Sequence, residues 1–364
     1  MGRITLSIPL AAVLACCLAC CLACGPSPAT PSRQGAATAS SPAVPTPADT
    51  GPASARTAST ASTASSVSLG TTPEYLAISP DGRKIYVTGG DDDSGSTVFL
   101  TVDAATRTLL SEPVPVADSG IGRSQIVVSQ DGQRIYLAHD YLNQLTVLDA
   151  RTAAPITTVE AENDSALLSP DGTVLYLAYD NSGTEDDGIG KVSFFDAASL
   201  SMSTDALVGG YPRYMTLNQD GRRLYVVCLG QGMFYTADVA TGYVDRQAYP
   251  VGGGVIDMVV TPDRRRAFLA ERHYGVVSFD LGANRGSPVE GAGHPTSLAM
   301  HPDGRLFGLY QEEGLIKEID TAGQGRVRKS IEVGGRPVMG VGSPDGAMLY
   351  VLDEATRALL FVKV

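Results

Sequence analysis

Side chains able to move protons or stabilise developing charge are few in this 364-residue chain, which carries only four His and no Trp. His139, Arg213, Glu271 and His273 supply an imidazole, a guanidinium and a carboxylate, the types that activate water and steady an oxyanion. No continuous motif fixes their roles. A GxSxG elbow, an HExxH helix and a phosphate-cradling GxxxxGK[ST] loop are all missing from the sequence, as is the CxxCH of haem attachment. Oxygen ligands suited to Ca²⁺ are concentrated in "GGDDDSG" (89–95) and "NSGTEDDGIG" (181–190), but neither follows the spacing of an EF-hand loop. The reading is therefore no cofactor and no metal, with Ca²⁺ at those acidic loops as the alternative. Five of the six cysteines lie in "CCLACCLAC" (16–24), amid only Leu and Ala, so neither a disulfide framework nor a metal site with a polar surround is expected. The net charge of −12 repels phosphate and argues against nucleic acid or adsorption to anionic lipid.

What must position these groups is a repeated phrase. "SPDGRKIYV" (79–87), "SPDGTVLYL" (169–177) and "SPDGAMLYV" (343–351) share a Pro-Asp-Gly turn, and aligning on its Asp gives Asp81, Asp131, Asp171, Asp220, Asp263, Asp303 and Asp345. Pro fixes φ, Asp bonds its own backbone and Gly accepts positive φ, so these Asp residues are turn formers. A short apolar strand precedes each turn. A second follows, with an aromatic five residues beyond the Asp in six copies: Tyr86, Tyr136, Tyr176, Tyr225, Phe268 and Tyr350. A third strand ends at Asp103, Asp149, Asp196, Asp238, Asp280 or Asp320, read as Asx-turn residues leading to a fourth. Seven copies spaced 40 to 50 residues apart, each strand-rich, are the mark of a seven-bladed β-propeller of four-stranded antiparallel blades. The seventh copy stops at "ALLFVKV" without a fourth strand, while an orphan strand, "SVSLG" at 66–70, opens the domain. That N-terminal strand is expected to complete the last blade and hide two edges at once.

The unit "VGGYP…LNQDGRRLYVVCLG…YTADVATG", with "IYVTGG" (85–90) and "VGGRP…SPDGAMLYV" (333–351), resembles the YVTN-repeat propellers, relatives of the lactonase-like seven-bladed family, over nearly 300 residues. That family contains lactone hydrolases beside binding and surface proteins. The resemblance implies that a site, if present, lies where the loops entering strand one and leaving strand two surround the channel mouth. Positions seven and six before each turn Asp, and eight after it, are where the repeat stops repeating. From these come the ligand-binding set Glu74, Tyr75, Asp164, Arg213, Tyr214 and Asp257, with Arg336 adjacent. Arg213 and Arg336 are expected to take a ligand's negative part and the two tyrosines its apolar face. If the chain is lactonase-like, His139, Arg213, Glu271 and His273 are the catalytic set. The leading expectation is a non-enzymatic module, monomeric, binding a protein or small polar ligand. The alternatives are a hydrolase of sugar or other acidic lactones and a structural envelope protein.

Before the propeller the chain changes character. Met1 to Arg3 form a positive start and Ile4 to Ala23 an apolar run ending at "LACGPSP", which resembles the lipobox of bacterial lipoproteins with Cys24 as the acylated residue. An uncleaved signal anchor and ordinary secretion are the alternatives. Residues 25–65 are almost wholly Ala, Ser, Thr, Pro and Gly and read as a disordered tether. The expected organisation is a signal segment (1–24), a linker (25–65) and a propeller (66–364), exported and held to the bacterial envelope by lipid alone, on the periplasmic or the outer surface.

Overall fold

A computed structural model describes residues 64–364 apart from 92–93, 118–123, 141, 181–187 and 322–325. Cys24 and residues 25–63 of the tether lie outside the described residues, as do 92–93 of the first acidic loop and 181–187 of the second. Every named element is a strand, and the strands form seven antiparallel sheets. Each blade begins with an inner strand at the channel: Thr72–Ile78, Ser124–Val128, Ser165–Leu168, Pro212–Leu217, Val255–Val260, Ser297–Met300 and Pro337–Gly342. Each inner strand packs on the next, and the seventh packs on the first, so the ring is closed. The protein is a seven-bladed β-propeller.

Closure occurs as the missing strand requires. Ala64–Ser68 pairs antiparallel with Ala358–Lys363, in register from Ala64 opposite Val362 to Ser68 opposite Ala358, and becomes the outer strand of blade 7. It starts two residues before the position expected from sequence. Val67 and Leu69 anchor it in a cluster shared by blades 7 and 1. The core as a whole is seven such layers, each lying between two neighbouring blades.

Local chemistry explains the repeated letters. In blade 1 the Asp81 carboxylate accepts from Ser79 Oγ (2.6 Å) and from the Arg83 amide (3.0 Å), and Lys84 N donates to Ser79 Oγ (2.9 Å). Blades 2, 3 and 7 repeat this with Ser129, Ser169 and Ser343. In blades 1, 2, 3 and 5 the Asp ending the third strand accepts two amides, as Asp149 does from Arg151 (3.0 Å) and Thr152 (2.8 Å). The recurrent aromatic has a second job. Tyr136 in blade 2 donates its hydroxyl to Ala197 O in blade 3 (2.9 Å), Tyr86 reaches Ala150 O in blade 2 (3.4 Å), and Tyr225 reaches Leu281 O in blade 5. In blades 1, 2 and 4 the tyrosine is thus a rivet to a following blade, whereas the Tyr176 hydroxyl of blade 3 has no partner among the described residues. Two outer strands are irregular: that of blade 1 is split into Thr108–Leu109 and Val114–Ala117 around Pro113, which has no amide to donate, and that of blade 4 is only Tyr249–Pro250.

Candidate functional site

Where the inner strands begin, the channel widens into a cavity of about 920 Å³ to which all seven blades contribute. That volume falls within the roughly 300–1,000 Å³ typical of small-molecule sites. Glu74, Tyr75, Asp164, Arg213, Tyr214 and Asp257 all line it, together with Met215, Met258, Met339 and Arg272. Six of the seven ligand-binding positions expected from sequence are therefore brought to one mouth. Arg336 is not among the lining residues. Its guanidinium is spent on Glu354 (3.2 Å) and Glu312 (3.5 Å).

Of the four residues expected to act on a lactone, the structure brings only Arg213 to the cavity wall. His139 ends the second strand of blade 2 at 1% exposure, between Ser124 Oγ on Nδ1 (2.7 Å) and Thr146 Oγ1 on Nε2 (3.0 Å). Burial pulls its pKa down to about 4, so at neutral pH it is an uncharged structural bridge. Glu271 is equally buried, and its carboxylate accepts the amides of Gly254 (2.8 Å), His273 (2.6 Å) and Tyr274 (2.7 Å). Asp353 does the same in blade 7 for Arg336 N (2.7 Å) and Ala355 N (3.0 Å). His273 is exposed on the loop that Glu271 holds.

A one-residue slip accounts for these placements. The positions eight after each turn Asp point into the wall, where Gly89, His139, Cys228, Glu271 and Asp353 are all buried. Their successors point the other way, because side chains alternate along a strand. Leu229, Arg272 and Glu354, nine after the turn Asp, line the cavity. Gln311 is the one residue of the earlier set that reaches it.

Several lining residues also stitch the wall. Gln125 bonds both backbone groups of Ala166 in the next blade, accepting from its N (2.8 Å) and donating to its O (3.1 Å). Asp257 accepts from Ser297 Oγ (2.6 Å) and Leu298 N (2.8 Å) of blade 6. Tyr214 donates to Ile256 O of blade 5, and Thr88, buried away from the lining, donates from Oγ1 to Ser124 O of blade 2 (2.7 Å). The equivalent residue of blade 3 is Ser165, only 6% exposed, whose hydroxyl has no partner among the described residues. That seam is held instead by Arg213, which donates to Asp164 O (3.4 Å) and forms an ion pair with Asp140 Oδ2 (2.8 Å).

Asp140, absent from the sequence-based set, follows His139 directly at the end of a strand. Its other oxygen, Oδ1, is buried without a donor among the described residues, as is Oδ1 of Asn163. Asp164 accepts the Asp180 amide on Oδ2 (2.8 Å). Burial pushes the Asp164 pKa up to about 6, and the facing Asp140 carboxyl adds to the rise. No cluster of three or more His, Cys, Asp or Glu suited to a metal exists among the described residues. No helix among them is long and apolar enough to cross a membrane.

No family model matches the chain. Over 119 residues it is 34% identical to the seven-bladed beta-propeller protein Rv1057 of Mycobacterium tuberculosis, a stretch covering 32% of this chain and 29% of that one. Over 154 residues it is 25% identical to the uncharacterized protein YncE of Salmonella typhi, covering 42% of this chain and 40% of that one. The matched stretches thus span well under half of these curated relatives. Among solved structures, hydrazine synthase of Kuenenia stuttgartiensis superposes with a TM-score of 0.66 at 18% identity, over 82% of this chain and 97% of that one. The Cps50 (Swd1) propeller domain of Myceliophteria thermophila superposes at 0.64 with 11% identity, over 82% and 98%. At such identities the likeness is one of fold, and it places this chain among the seven-bladed β-propellers.

Proposed function

We propose that this chain is a YVTN-type propeller held to the bacterial envelope by an acylated Cys24, and that it acts by non-enzymatic binding of a small polar ligand at the channel mouth. The observation that carries the binding is the mouth itself. Seven blades built on one phrase present different side chains there, around a cavity of about 920 Å³. Hydrogen bonds between blades hold several of those side chains in place, so the site is formed before a ligand arrives. A binding module fits better than a hydrolase because His139 and Glu271 are consumed by the wall, leaving Arg213 without the imidazole and carboxylate expected beside it.

Lactone hydrolysis is the second reading, and one feature favours it. Asp164 shares the mouth with Arg213, and a carboxyl group whose pKa is raised to about 6 is suited to general-base work. Protein isolated from its own envelope, measured by native mass spectrometry, is expected to carry a small-molecule adduct. The adduct should vanish when Tyr75 and Tyr214 are both replaced by Ala. An adduct-free protein of unliganded mass would remove the binding reading. Steady turnover of a lactone panel, abolished by Asp164→Asn, would replace it with hydrolysis. For the anchor, Cys24→Ser is expected to release the protein from the membrane fraction or leave an uncleaved precursor, and unchanged fractionation and N-terminal mass would refute acylation there.

A further inference from the structure

Charge at the mouth is not distributed as its residue types imply. Both arginines expected to receive an anion are already neutralised, Arg213 by Asp140 (2.8 Å) and Arg336 by Glu354 (3.2 Å). Hydrogen-bond donors are short where Arg213 of blade 4 meets the start of blade 3 and Asp140, at the end of the second strand of blade 2. Two carboxyl groups, Asp140 and Asp164, face each other there with one guanidinium between them. Among the described residues, Asp140 Oδ1 and Asn163 Oδ1 have no donor and the Ser165 hydroxyl has no partner. These side chains are all more than nine-tenths buried, at 5%, 0% and 6% exposure. An unpaired buried polar group is costly; here the Ser165 hydroxyl on the cavity wall is left unmet and the Asp140 carboxylate faces Asp164, whereas Gln125 and Asp257 satisfy the corresponding positions of blades 2 and 5. Asp164 and Ser165 both belong to the cavity wall, so the seam faces the mouth.

We propose that the ligand of this mouth is cationic, an aliphatic amine whose ammonium group seats on Asp164 and Ser165 over the Asp140 carboxylate. An ammonium brings three N–H donors and one positive charge, which are what the seam lacks. At this seat an anion would meet two carboxyl groups and a guanidinium already taken; the other arginine of the lining, Arg272, belongs to blade 5. The thioethers of Met215, Met258 and Met339 and the faces of Tyr75 and Tyr214 line the same cavity and suit a methylene stem and a cation beside an aromatic ring. The proposal rests on the mouth being a ligand site and adds the charge and class of what it takes.

Asp164 is surrounded by Asp140, Arg213, Tyr179 and Asp180. Of these charged neighbours only Arg213 is basic, and it stays protonated throughout. Seating an ammonium requires the Asp164 carboxylate, so affinity must fall as pH drops through about 6. The amine itself stays charged over this range.

Isothermal titration of the full-length protein with 1,5-diaminopentane tests this, with gluconate as the anionic counterpart. At pH 7.5 saturable one-to-one binding of the diamine is expected. It should weaken about tenfold at pH 5, as a group titrating near 6 dictates, weaken at least tenfold in Asp164→Asn at pH 7.5, and lose its pH dependence in that variant. Asn keeps the acceptor for the Asp180 amide, so the fold is retained, and an unchanged circular dichroism spectrum checks it. Diamine binding that Asp164→Asn leaves intact would overturn the seat. Saturable binding of gluconate, but not of the diamine, would overturn the proposal while leaving a ligand-binding mouth. Binding of neither, in protein of unliganded native mass, would overturn both.

Discussion

The seams that join blade 5 to blade 6 and blade 3 to blade 4 are built at equivalent places from different chemistry. At the first, Asp257 is satisfied by Ser297 Oγ and the Leu298 amide across the junction. At the second the same position is Ser165, too short to cross, and the junction falls to an arginine that bonds the Asp164 carbonyl of blade 3 and reaches past it to Asp140 of blade 2. The first seam spends its polar atoms on the fold and has nothing left for a ligand. The second leaves the Ser165 hydroxyl unsatisfied at the cavity wall, beside the Asp164 carboxyl. Residue type at a mouth therefore says little until its hydrogen bonds are counted, because a carboxylate holding the wall and a carboxylate awaiting a ligand are spelled alike.

The largest effect expected from breaking a finished seam is pH-dependent. His139 clamps Ser124, whose carbonyl receives Thr88 from blade 1. With a pKa of about 4 when folded, against about 6.5 when unfolded, it contributes stability that is whole above pH 6.5 and is lost as pH falls toward 4. The loss approaches about 3 kcal/mol. Urea unfolding at pH 7.5 and 4.5 is expected to show that difference in the wild type and not in His139→Asn; equal pH slopes in the two proteins would deny His139 this role. Next in size is Asp257→Ala, which strands the Leu298 amide and the Ser297 hydroxyl and should cost about 2 kcal/mol at pH 7.5. A melting temperature unchanged by that substitution would mean the seam does not depend on the stitch.

Much of this architecture was legible in the letters. The Ser-Pro-Asp-Gly turns and the third-strand Asp residues of blades 1, 2, 3 and 5 express local rules of backbone geometry and are found where those rules put them, and the orphan strand closes blade 7 two residues earlier than read. The tyrosine rivets were visible as a recurrence but not as a bond, since their partner lies a whole blade away. The mouth positions before the turn were legible for a similar reason: they fall at a fixed offset on the strand nearest the axis. The positions after the second strand were misplaced by one residue, and in a strand one residue exchanges wall for cavity. That is why His139 and Glu271 read as reactive groups although both are buried braces, while Asp140 went unread beside His139. Nothing in composition tells a satisfied carboxylate from an unsatisfied one. That distinction depends on neighbours brought together by ring closure.

The smallest effect is expected from finishing the seam that the fold left open. Gln125 shows the pattern to copy: from the sixth position before the turn Asp, its amide pairs with both backbone groups of the residue five before the next turn Asp. In blade 3 the donor position is Ser165, and the receiving residue in blade 4 is Met215. Ser165→Gln is expected to make the corresponding pair of bonds, replacing a hydroxyl that has no partner among the described residues. Two neutral hydrogen bonds, less the entropy of fixing a longer side chain, should raise stability by about 0.5–1 kcal/mol. The same substitution should weaken diaminopentane binding, because it removes the Ser165 hydroxyl on which the ammonium seats and puts a bulkier side chain on the cavity wall. Stability and binding would then move in opposite directions from one change, as expected when a junction leaves its polar groups unsatisfied for a ligand's sake. A Ser165→Gln protein that melts lower yet binds the amine as before would show that the two seams differ only by accident of sequence.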